Sequence, residues 1–66
     1  MYQIIKFAPS LKFKELPLPN DILETISECI YRISIYVKND RNSYFRIRDL
    51  ETNQFVSWCF EGGDFQ

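Results

Sequence analysis

The sequence contains no histidine. That removes the commonest general base and the commonest metal ligand, and with them every Ser–His or Cys–His arrangement. Cysteine is scarce as well: Cys29 and Cys59 stand far apart, outside any C-x-x-C pair. Two thiols without an imidazole make a poor zinc site, so both are read as reduced residues, unbridged, with Cys29 facing inward and Cys59 outward. Glycine occurs only as Gly62-Gly63. No Lys or Ser/Thr follows in P-loop spacing, so Glu61-Gly62-Gly63-Asp64 reads as a polar turn. No apolar run is long enough to span a membrane, and MYQIIKF lacks the shape of a signal peptide. A cytoplasmic, reducing setting is the expectation, with no membrane contact, no cofactor and no metal.

Paired carboxylates such as Asp49 and Glu51 could in principle do acid–base work. A chain of 66 residues offers little room for the cleft that would perturb them, so no enzymatic activity is expected.

The chain does have apolar and aromatic mass. Forty-five per cent of its residues are hydrophobic, and it carries one Trp, four Tyr and six Phe, which excludes a disordered tail. Its length fits one domain, residues 1–66. A domain this small buries only about 60% of the surface of its unfolded chain. The ordering cost of roughly 1.5 kcal/mol per residue nearly cancels the hydrophobic gain, so packing density or a partner must supply the margin.

The net charge is −1, but the charges fall in blocks. Residues 1–19 carry +2, residues 20–31 carry −3, residues 32–48 carry +4 and residues 49–66 carry −4. The acidic total argues against strong non-specific nucleic-acid binding, while the +4 block leaves a local basic surface.

Tyr2 to Ala8 reads as a strand ended by Pro9-Ser10. Leu11-Lys12-Phe13-Lys14 alternates apolar and basic residues and fits a short second strand over 11–16 or an extended edge. The L-P-L-P run at 16–19 should break regular structure. Asp21-Ile22-Leu23-Glu24 has the form of a capping box, which predicts a short helix over about 21–28, ending between residues 27 and 33. Tyr31, Ile33, Ile35 and Val37 alternate with polar residues and predict a strand. Two hairpins follow, with strands over 43–50 and 55–60.

A three-residue loop sets Val37 opposite Phe45, and a Thr52-Asn53 turn sets Phe45 opposite Phe60 and Ile47 opposite Trp58. One sheet face then holds Ile33, Ile35, Val37, Phe45, Ile47, Val56, Trp58 and Phe60, covered by Ile22, Leu23 and Ile26. The expected fold class is α+β: an antiparallel sheet of four or five strands with one short helix on one face, in the order β-(β)-α-β-β-β.

The same register gathers Arg32, Ser34, Tyr36, Lys38, Tyr44, Arg46, Arg48, Ser57 and Cys59 on the other face, with Tyr36 beside Arg46 and Lys38 beside Tyr44. A solvated face is one reading. Tyr and Arg are also the types enriched at interface hot spots, so Arg32, Tyr36, Lys38, Tyr44, Arg46 and Arg48 are the candidate partner-binding residues. The expected function is a small non-enzymatic protein-binding module: an adaptor, an accessory subunit or an inhibitor of the kind phages and mobile elements carry. Its partner would be another protein or complex, a homodimer included. The alternative is single-stranded nucleic acid on the same face, bases stacking on Tyr rings and phosphates on Arg. The next candidate surfaces are the edge formed by Lys12, Phe13 and Lys14, or the acidic helix face with Glu24 and Glu28.

Overall fold

The computed structural model describes residues 1–61, and the side-chain surroundings of residues 1–56. Four strands and one helix follow in the order β1 (Tyr2–Phe7), β2 (Glu15–Leu23), α1 (Ile26–Asn39), β3 (Tyr44–Asp49) and β4 (Gln54–Glu61). A single 3-10 turn, Pro9–Leu11, lies between β1 and β2. The sheet is antiparallel in the order β2-β1-β3-β4, so the fold is α+β, as the pattern of strands and helix implied. No helix among the described residues is long and apolar enough to cross a membrane.

The helix lies later and runs longer than the sequence reading has it. The Asp21/Glu24 pair is not its cap. Thr25 is the N-cap: its Oγ1 accepts from the Glu28 amide at 3.2 Å, and its own amide donates to Glu28 Oε1 at 3.2 Å. From there Cys29, Ile33 and Val37 recur every fourth residue and are buried, with Ile26 and Ile30 packed beside them. The strand expected over 31–38 is therefore helix. Three buried turns and a capping box worth about 1 kcal/mol outweigh a few tenths of a kcal/mol per β-branched residue. Ile35, assigned to the core, points outward at 42% exposure.

The L-P-L-P run does not break the chain. It lies inside β2, an edge strand. Edges and bulges are where a sheet tolerates proline, since the missing N–H costs nothing on the open side. Pairing with β1 shifts between Gln3↔Ile22 and Ile5↔Pro17, so residues 18–21 bulge out. Gln3 Nε2 donates to the Leu18 carbonyl at 3.1 Å and satisfies one group that the bulge frees.

Ile4, Phe45 and Ile47 face α1 and form the core with Cys29, Ile33 and Val37. Tyr2, Leu18, Leu23 and Val56 close its margins. Phe45 pairs with Phe60 as expected, but a register shift between Arg46 and Arg48 sets Arg48 opposite Phe55. The expected places of Trp58, Phe60 and Cys59 on the two faces lie outside the described side chains. Cys29 is buried and free, matching its inward reading.

Candidate functional site

The six candidate residues do not share one face. Arg32, Tyr36 and Lys38 are on α1, while Tyr44, Arg46 and Arg48 are on β3 and point away from the helix. The expected pairs Tyr36–Arg46 and Lys38–Tyr44 are absent. Arg46 pairs instead with Ile5 and Cys59, and Tyr44 with Phe7 and Glu61.

The helix group is occupied internally. Asp21, at the end of the β2 bulge, is 2% exposed. Arg32 Nη1 donates to its Oδ1 at 2.6 Å, and the Tyr36 hydroxyl donates to Oδ2. The Tyr36 ring stacks on Phe45 at 5.7 Å. Burial pushes the Tyr36 phenol above its usual range, and the hydrogen bond to Asp21 adds to this. The Arg32 guanidinium is likewise held protonated, chiefly by its hydrogen bond to Asp21. A cleft of about 380 Å³ opens beside this cluster, lined among others by Lys6, Leu18, Asn39 and Asp40. Its charged groups are spent on each other: Lys6 Nζ meets Asp40 Oδ2 at 3.0 Å, and Ser43 Oγ donates to Asp40 at 2.7 Å. The cluster is a latch tying edge strand to helix. Lys38 stays exposed in the last helical turn, where a cation suits the dipole.

The open face of the sheet is different. Phe7, Tyr44 and Phe13 form a row of rings, with Phe7–Tyr44 stacked at 4.7 Å and 6° and Phe13–Tyr44 at 5.9 Å. Phe55 tilts against Phe7 at 6.1 Å. The guanidiniums of Arg46 and Arg48 lie over the Phe55 ring, 4.0 and 4.4 Å from its centroid. Beneath them Ile5 is wholly buried although it is not part of the helix-side core. Arg48 Nη2 donates to both Glu15 oxygens, at 2.9 and 3.0 Å.

Phe13 reaches this face through strained backbone. Lys12 and Phe13 are consecutive non-glycine residues in the left-handed region, with φ of 54° and 57°. Each costs roughly 1–2 kcal/mol. The loop is held by backbone bonds, among them Lys12 N–H to the Pro9 carbonyl at 2.9 Å and Phe13 N–H to the Ala8 carbonyl at 2.9 Å. The result is a ring stacked on Tyr44 yet 49% exposed. Sequence reasoning placed Phe13 only as a second choice and missed Phe7, Phe55 and Glu15. Phe13 had a signal in its two flanking lysines. Phe7 and Phe55 had none beyond residue type, because their face depends on where β1 sits.

Fold and face define a small two-layer α+β protein with one sheet surface open and aromatic. No family model, curated protein or solved structure matches the chain.

Proposed function

We propose that this is a non-enzymatic protein-binding module that engages its partner through the open sheet face, with Phe13 as the protruding anchor and Tyr44, Arg46 and Arg48 around it. The observation that carries this reading is the strained Lys12-Phe13 pair. Left-handed non-glycine residues persist where surrounding bonds over-determine them, and such strain clusters at ligand clamps and binding loops. Here it leaves a large ring half in water, stacked on Tyr44, on the sheet face that also carries Arg46 and Arg48, and Tyr and Arg are types enriched at interface hot spots. The helix latch contributes stability instead, since its polar groups are already satisfied. The module would serve as an adaptor, accessory subunit or inhibitor.

The second reading is single-stranded nucleic acid, favoured by the stacked Phe13–Tyr44 rings. Affinity capture from cells that naturally carry the protein separates the two. Wild type should retain a protein that Phe13→Ala loses, because truncating a hot spot costs about 2 kcal/mol or more, roughly thirtyfold in affinity. Tyr31→Ala, on the exposed helix surface, should retain it. Undiminished capture by a folded Phe13→Ala variant would sink the reading. Salt-sensitive retention of oligonucleotides without any protein would install the second one.

A further inference from the structure

Among the described side chains the open face holds two arginines in nearly the same posture and one carboxylate, Glu15. Arg46 and Arg48 both stack over Phe55. Glu15 neutralises Arg48. Among the described residues Arg46 has no acidic or side-chain hydrogen-bond partner, whereas Arg48 has Glu15; the Nε of each is buried without a partner. From this asymmetry we infer that Arg46 receives a carboxylate of the partner, so that the open face takes an acidic protein segment. The inference rests on the open-face reading and adds the chemistry of the partner.

Three arguments support it. A guanidinium stacked on a ring has already lost much of its rotamer freedom, so less ordering cost remains when it binds. The Arg48–Glu15 pair is the chain's own example of how this surface takes a carboxylate. The surroundings have the complementary sign: Lys12 and Lys14 flank Phe13 in the sequence, and with Arg46 and Arg48 they outnumber Glu15 and Glu61, the latter opposite Tyr44 in the register. A phosphate would favour a two-cation cradle, and Glu15 already engages the second arginine.

The probes are a short synthetic peptide rich in Glu with one Trp, its Gln-for-Glu counterpart and a thymidine oligonucleotide, read by fluorescence anisotropy against the full chain. Wild type should prefer the Glu peptide by about tenfold, the scale of one charge-assisted hydrogen-bonded contact. Arg46→Gln should erase that preference. Arg46→Lys should lose most of it despite keeping the charge, because the planar fork is gone. Glu15→Gln should tighten the Glu peptide by releasing Arg48. The inference is overturned by an Arg46→Gln variant that still discriminates between the peptides. It is equally overturned by a wild type that binds neither peptide, binds both alike or prefers the oligonucleotide. A rise in wild-type affinity on Glu61→Gln would mean that the chain itself supplies the carboxylate, and that also overturns it. Phe13→Ala separates the two levels. Loss of both peptides alike supports the open face. Unchanged binding in Phe13→Ala, with preference still lost in Arg46→Gln, keeps the carboxylate receptor and removes Phe13 as anchor.

Discussion

Asp21→Ala is the most informative single change for the fold. The carboxylate is almost wholly buried and accepts from two donors, Arg32 Nη1 and the Tyr36 hydroxyl. Hydrogen bonds to charged groups contribute about 1.5–3 kcal/mol each. The Arg32 side chain is largely solvent-exposed, so screening makes it the lesser of the two donors. The Tyr36 bond keeps its full value, because losing it strands a phenol in a partly buried site. The expected cost is about 2–3 kcal/mol. A chain of this length has roughly 3–10 kcal/mol in total, so the melting temperature should fall by about 10–20 °C. Urea unfolding followed by circular dichroism gives the free energy, with Tyr36→Phe costing about 1–2 kcal/mol and Arg32→Ala less than that. An Asp21→Ala cost under about 0.5 kcal/mol would show that the latch does not hold edge strand to helix.

Two further outcomes follow from the loops. Lys12→Gly should stabilise the protein by about 0.5–1 kcal/mol, since glycine relieves the left-handed penalty at a smaller entropic cost. Urea unfolding checks this, and a loss of stability would mean that the backbone there is unstrained. Asp40 is held below the usual carboxylate range, first by Ser43 and then by Lys6. A depressed folded pKa gives stability that is present above the unfolded value and lost as pH falls through the folded one. The decline should therefore come below about pH 4, the ordinary Asp range. Ser43→Ala should flatten that part of the stability–pH curve, and an unchanged slope would refute the assignment.

The fold class was legible because it depends on patterns that survive local error. β1 and β3 were readable from alternation and β-branched content, and Phe45↔Phe60 from turn spacing. The helix was misplaced because residues 31–38 satisfy two periods at once. Val37 and Ile33 lie on the same face of a strand and also one turn apart on a helix. The Thr25/Glu28 capping box would have decided between them, but Asp21/Glu24 offered the same spacing four residues earlier. The second strand was missed because Pro17 and Pro19 disfavour a central strand, and nothing local says that a segment will become an edge. Once 31–38 is helix, the neighbours of Tyr44 and Arg46 must come from β1, which joins β3 only through long-range pairing. The candidate face was thus half legible: Tyr44, Arg46 and Arg48 were found, but the partners that shape them were not.

Residue type had grouped six tyrosines, arginines and lysines as one surface, and the structure sorts them by what their polar atoms already do. Arg32 and Tyr36 are spent on a buried carboxylate. Arg48 is spent on Glu15. Groups satisfied within the chain have little left to offer a partner, because binding there would exchange one good contact for another. The features that remain are those that folding alone does not explain. Phe13 sits in costly backbone and keeps half its ring in water. Arg46 is stacked and oriented without a carboxylate among the described residues. A domain near the lower limit of size has little stability to spare, so strain and exposure kept together on one face are the ground on which the proposed recognition role stands.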